Sequence, residues 1–186
     1  MRSRLQRAAL AATAGFLAGC SSLSPVPSPT LHSPLLTSGD GAFQYRLPDG
    51  WFDATADTQA AGHVVWLLRN DYEATIAVSE LHLDARARDA IRSAGVMGLA
   101  QLSMAFAAGQ ASYTVTQQPG ELRVNGRPSC VYALVTAPAH DTVRVVLVDT
   151  GIHVYMVTAL VVGATKGDDP QRIFGDQDAF VASLRW

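Results

Sequence analysis

The dipeptide Asn125-Gly126 stands between two runs of strand-forming residues, Glu121–Val124 and Arg127–Ala137. It is the pair best suited to a type I′ turn, whose two central residues both take positive φ. A hairpin is therefore predicted here, and it constrains what its neighbours can be. Ser112–Gln118 precedes it as a further extended stretch, and Asp141–Thr150 and Ile152–Val162 follow as β-branched runs separated at Gly151. Short connections between such runs make an antiparallel meander the most economical topology.

Upstream, Ala42–Leu47 reads as a short strand ended by the turn Pro48-Asp49-Gly50. Gly62–Asn70 carries Val64, Val65, Trp66, Leu67 and Leu68 in succession, the pattern of a strand buried on both faces. After a turn at Asn70-Asp71, Tyr72–Leu81 alternates, with Ala74, Ile76 and Val78 on one side. Arg86–Gln110 has the helical period. Its residues Ile91, Gly95, Leu99, Leu102 and Phe106 fall within an arc of roughly 80°, which is expected to face the sheet. Asp176 is placed to cap a last helix that turns Phe180, Val181 and Leu184 inward. The predicted class is α+β: an antiparallel sheet with a long central helix and a C-terminal helix.

The run Phe43–Trp51, the central helix, the three-strand meander and the ending Phe180–Trp186 together resemble the PsbP-like fold. That fold is shared by the PsbP subunit of photosystem II and by bacterial lipoproteins of the DcrB type. The resemblance covers most of residues 42–186, with Leu184 standing where Phe is expected. It implies an assembly or binding module. The family has no shared catalytic residues, so no functional position is carried over.

The opening of the chain carries an address. Three arginines lie between Met1 and Arg7, an uncharged run spans Ala8–Gly19, and Cys20 follows. This is the build of a secretory signal. Twelve residues of helix rise only about 18 Å, short of a hydrocarbon core of about 30 Å, so removal is expected rather than a retained span. Leu17-Ala18-Gly19-Cys20 resembles the lipobox of bacterial lipoproteins. The resemblance implies cleavage before Cys20, thioether attachment of a diacylglycerol to Cys20 and acylation of the new amino terminus, of the palmitate kind. Three chains make attachment effectively permanent, each CH₂ contributing about 0.8 kcal/mol. Ser21 occupies the place of the Asp that resembles an inner-membrane retention signal, so the outer membrane is favoured.

Residues 1–19 are thus read as signal peptide, 20–39 as lipidated Cys and tether, and 40–186 as the globular domain. The tether holds Pro25, Pro27, Pro29 and Pro34 with six serines, a composition unsuited to a core. Fully extended, at about 3.1 Å per residue, it reaches roughly 60 Å. Loss of Arg2, Arg4 and Arg7 with the signal moves the formal charge from -2 to -5, so lipid and not a basic patch must hold the domain on an anionic leaflet. Lys+Arg at 14 against Asp+Glu at 16 likewise disfavours nucleic acid as a partner.

Chemistry-bearing groups are sparse. Glu80, His82 and Asp84 share one face if their strand continues, a spacing that suits a metal but also a polar strand exit. His153 with Tyr155, and His63 with Arg69, suggest a polar patch across the sheet. Asp168, Asp169, Asp176 and Asp178 do not have EF-hand spacing and are assigned to turns and caps. Cys130 has no disulfide partner once Cys20 carries lipid, and reads as a buried small hydrophobe. No nucleophile-elbow, zincin, C-x-x-C, Walker or dinucleotide motif is present in the sequence, so no catalytic residue, cofactor or metal ligand is assigned.

The most unusual stretch is Ser93–Gly120, twenty-eight residues without a charge. The back of its helix carries Val96, Met97, Ala100 and Met104, the candidate surface for a protein partner or apolar ligand, with burial under another element as the alternative. The functional expectation is a membrane-anchored, periplasm-facing, noncatalytic binding or assembly module of the cell envelope, with an envelope protein of unknown identity as partner. The alternative is a lipoprotein enzyme or small-ligand carrier with a pocket between sheet and helix.

Overall fold

The central helix does not continue the sheet locally but carries the chain from its middle to its far edge. In the computed structural model, which describes residues 31–110, 112–163 and 170–186, the strands are β1 (Leu36–Thr37), β2 (Gln44–Tyr45), β3 (Trp51–Asp53), β4 (Val65–Arg69) and β5 (Ala74–Glu80). The helix α1 (Ala85–Ala108) follows, then β6 (Tyr113–Val124), β7 (Arg127–Thr136), β8 (Thr142–Asp149), β9 (Val154–Val161) and the last helix α2 (Pro170–Ser183). Seven strands form one antiparallel sheet in the order β3-β4-β5-β9-β8-β7-β6, and β1 pairs with β2 apart from it. The crossover through α1 starts a second meander that walks back until β9 closes against β5 over seven residue pairs, Ala74–Glu80 with Val161–Tyr155. The predicted α+β architecture is the one observed.

Alternation along each strand separates two cores. One face meets α2 and the N-terminal arm, with Phe43, Tyr45, Leu67, Ile76, Val157 and Phe180 all at most 1% exposed. The other meets α1 and holds Cys130, Tyr132, Leu134, Val145 and Leu147. The N-terminal arm is stapled down by aromatics: the Phe43 ring lies 5.4 Å from that of Tyr155 and 4.8 Å from that of Trp186. The folded body also takes in the end of the stretch read as tether. Leu36 and Thr37 pair with Tyr45 and Gln44, Ser38 is buried, and the Ser33 hydroxyl donates to the Leu47 carbonyl.

Three expectations change at the level of elements. Asp176 is not a cap, because α2 opens six residues earlier at Pro170, whose fixed φ and missing N–H suit a first turn. Gly62–Asn70 is not buried on both faces: Val65 and Leu67 are fully buried, but Trp66 and Leu68 on the other side are only partly so. The helix α1 is bent, with non-helical backbone at Ala94 (φ -140°, ψ 17°) and Gly95 (φ 62°, ψ -157°). The Gly95 pair of angles lies in a region essentially reserved to glycine. The bend brings the Ala90 carbonyl so near Gly98 that an added Cβ would stand 2.5 Å from its oxygen.

Candidate binding surface and groove

The bend decides which helix face meets the sheet. A single 100° rotation per residue does not carry through Gly95, so the stripe before it and the stripe after it have different phases. After the bend, Val96 (6% exposed), Leu99 (5%) and Ala100 (0%) are buried against the sheet, and Met97 and Met104 pack on the same cluster. Of the arc expected to face inward, Leu99 is buried and Ile91 packs on the same cluster, whereas Phe106 is 72% exposed and Gly95 is exposed. The four residues named as a partner surface, Val96, Met97, Ala100 and Met104, therefore form the inner face of α1. Burial, the alternative reading, is where the structure puts them.

What α1 leaves open lies beside it. The helix packs on β6, β7 and β8. On the same side of the sheet, the pairings Phe52↔Leu68↔Thr75↔Leu160 and Trp66↔Ala77↔Thr158 run across β3, β4, β5 and β9. Ala77 is 8% exposed, and the other six side chains are partly exposed. None of the seven carries a charge. Tyr72, 69% exposed, extends this surface past its edge, its ring 5.9 Å from that of Phe52. Sequence reading missed this face because the run of five apolar residues Val64–Leu68, four of them in β4, resembles a strand covered twice. The available signal was the Thr75 and Ser79 alternation of β5, which marks the same side as the less buried one.

At one end of this face, a groove of about 660 Å³ opens between the strand ends and the first turns of α1, lined by Glu80, His82, Arg88, Asp149, Ile152 and His153 among others. His153 Nδ1 lies 2.8 Å from Glu80 Oε1, joining the residue just before β9 to the end of β5. Ile152 is 86% exposed at the rim. The three groups weighed as metal ligands do not converge: Glu80 meets His153, and Asp84 caps α1, accepting the Ala87 N–H at 2.7 Å. Among the described residues no group of three His, Cys, Asp or Glu side chains is arranged to hold a metal ion.

The remaining candidates are absorbed by the fold. His63 Nδ1 lies 2.8 Å from Ser79 Oγ, and Arg69 is turned to Asp71, so these two do not share a patch. Tyr155 is 1% exposed inside the aromatic staple, and burial, with the nearby Asp40 and Glu80 carboxylates, pushes its hydroxyl up to about 12. Cys130 is fully buried, its Sγ 3.7 Å from Met97 Sδ, and burial raises the thiol above its ordinary range. It is the inert cysteine the sequence predicts. Asp178 meets Arg144 at 2.7 Å, and Asp176 meets Trp51. Cys20 and the whole lipobox, together with Asp168 and Asp169, lie outside the described residues.

No protein-family model matches this chain, and no curated protein matches its sequence. Solved structures do. The Ran-binding protein Mog1p of Saccharomyces cerevisiae superposes with TM-score 0.54 at 11% identity, over 84% of this chain and 96% of that one. LpqN of Mycobacterium tuberculosis, described as involved in cell envelope biogenesis, superposes with TM-score 0.52 at 10% identity, over 81% and 88%. This chain shares the α+β fold of these two proteins. Cyanobacterial PsbP from Synechocystis aligns over 88% and 98% at 13% identity with TM-score 0.46, and the fold assignment does not rest on it. No described helix is long and apolar enough to cross a membrane.

Proposed function

We propose that this protein is a lipid-anchored module of the bacterial cell envelope that binds or assembles a protein partner and catalyses no reaction on it. Acylation at Cys20 holds it on the membrane, facing the periplasm, with the outer membrane favoured over the inner by Ser21. The observation that carries the binding role is the uncharged half-sheet of Phe52, Trp66, Leu68 and Leu160 that α1 leaves uncovered. Aromatic and aliphatic side chains gathered on one rigid face are what a partner's apolar surface needs. The likeness to LpqN supports an envelope role without specifying one.

The test is photocrosslinking of the full-length chain in its native host, with the reactive group at position 66 or at position 106. An envelope protein captured from position 66 and not from 106 supports the reading, and equal or absent capture removes it. The anchor is tested separately, by the mass of the mature chain: a retained Met1 or an unmodified Cys20 thiol eliminates it.

One observation favours the second reading, a small-ligand carrier or enzyme. The Glu80–His153 pair opens into the groove beside α1, where an acid–base pair and an apolar rim meet. A copurifying small molecule lost on His153→Ala would support that reading over the first.

A further inference from the structure

The last strand of the sheet ends in a segment complementary to itself. Asn125 and Gly126 have φ of 49° and 81° and close a two-residue hairpin between Val124 and Arg127. In such a hairpin the flanking pair exchanges both ladder bonds, and hydrogen-bonded pairs recur at every second position. Leu122, opposite Ser129, therefore turns its N–H and C=O toward β7. Glu121 and Arg123 turn theirs away from β7, and among the described residues no strand lies beyond β6.

We propose that a second copy of this chain pairs there, antiparallel, about a two-fold axis at Leu122. Each Glu121 then stands opposite the other chain's Arg123, and these two positions supply four backbone hydrogen bonds. Charge selects the register. Opposite charges face one another across the axis at Leu122, whereas an axis at Glu121 sets Glu against Glu and one at Arg123 sets Arg against Arg. A two-fold interface requires such self-complementarity, and Gly120–Val124 has it.

The rest of the strand is guarded against the same event. The pairing of β6 with β7 shifts register between Val115 and Gln117 and again between Gln117 and Gly120, and Pro119 has no N–H to offer. Pairing is thereby confined to five residues. The Pro-rich stretch before the fold is a poor occupant of this edge, since Pro25, Pro27 and Pro29 break any row of donors. Space is available on the α1 side, where a cavity of about 370 Å³ separates Ala94–Met97 from Glu121 and Arg123, and both charged side chains are exposed. Five residues a side is a small contact, so pairing is weak in dilute solution. Confinement of two copies to one membrane raises their effective concentration, a step that rests on the lipid anchor as the pairing itself does not.

The experiment uses the full-length chain in membranes of its native host. Leu122→Cys places a thiol on the axis in a non-hydrogen-bonded pair, where Cα atoms approach about 4.5 Å, within disulfide range. With an added oxidant it should give a covalent dimer, and exposed Thr116→Cys on the same strand should not. In the Leu122→Cys background, Glu121→Arg alone and Arg123→Glu alone should each abolish the dimer. The two together rebuild the pair and should restore it. The same charge variants with Leu122 intact, followed by sedimentation of the detergent-solubilised chain, make the result independent of the cysteine. Crosslinking as strong at position 116 as at 122, or a double swap as weak as either single change, overturns the proposal.

Discussion

Trp51 reaches from the edge strand β3 to the middle of α2, its Nε1–H donating to Asp176 Oδ2 at 2.9 Å. The pair ties the sheet to its second helix, and it is not electrostatically comfortable. Burial raises the Asp176 pKa, outweighing the Trp51 hydrogen bond and the attraction of Arg172 and Arg69 that lower it.

That balance predicts opposite signs for two substitutions. A raised folded-state pKa means the ionised form is disfavoured in the fold, so stability is lost as pH rises through the interval between the unfolded and folded values. Asp176→Asn retains an acceptor for Trp51 without the charge and should be at least as stable as the parent at pH 7, with the advantage shrinking in acid. Asp176→Ala strands the indole N–H and should cost about 1–3 kcal/mol. Urea unfolding at pH 4 and pH 7 measures both.

The Tyr45 hydroxyl donates to Asp53 Oδ2 at 2.5 Å, and Tyr45 is 1% exposed. Burial pushes Asp53 up, but hydrogen bonds from Thr55 and Tyr45 outweigh it and leave the pKa below its ordinary 3.8. For this depressed carboxylate the stability is present above the unfolded value and disappears as pH falls through the folded one. Tyr45→Phe should cost about 0.5–1.5 kcal/mol at neutral pH. The difference from the parent should narrow below about pH 4, and an unchanged difference at pH 2.5 would count against this account.

Gln177 is 0% exposed and fully engaged: it accepts from Arg144 at 2.8 Å and donates to the Val157 carbonyl at 3.0 Å and the Arg144 carbonyl at 3.2 Å. Gln177→Ala opens a cavity and removes partners from buried polar groups at once. A loss of about 2–5 kcal/mol is expected in chemical denaturation.

Gly95 inverts the usual expectation for a glycine inside a helix. Replacement by Ala stabilises an ordinary helix interior by roughly 0.5–1 kcal/mol. At φ 62° and ψ -157° an added Cβ is strained, so Gly95→Ala should instead destabilise by about 1–3 kcal/mol. Gly98→Ala should also destabilise, through contact with the Ala90 carbonyl. Melting temperatures that rise in either variant would refute the bend.

Cys130 should react with an aromatic disulfide reagent only on unfolding. Its thiol is fully buried and its pKa raised by that burial, so both access and thiolate are lacking in the native state. Labelling that tracks the denaturation curve is the expected outcome.

The strands were legible because their signals are local. Asn125-Gly126 gave the hairpin of β6 and β7 with both positive φ values in place, and β-branched runs gave β8 and β9. The faces of α1 were not legible. A periodic stripe assumes one continuous helix, and nothing in Ser93-Ala94-Gly95 distinguishes a bend from a tolerated glycine. The start of α2 was displaced because Asp176 resembles a cap when its tertiary partner, Trp51, is unseen. The open half-sheet was legible only in part: the alternation of β5 marks its less buried side, but whether Trp66 is covered depends on where a distant helix lies, which no local window contains.

The pairing of Leu36 and Thr37 with β2, and the grip of Ser33 on Leu47, shorten the leash. With Cys20 acylated as proposed, only twelve residues would separate it from Ser33, a span of roughly 37 Å at full extension of about 3.1 Å per residue. On that proposal, a domain on so brief a mooring would patrol a shell hardly deeper than its own body, and any companion would itself have to come up to the bilayer to be met.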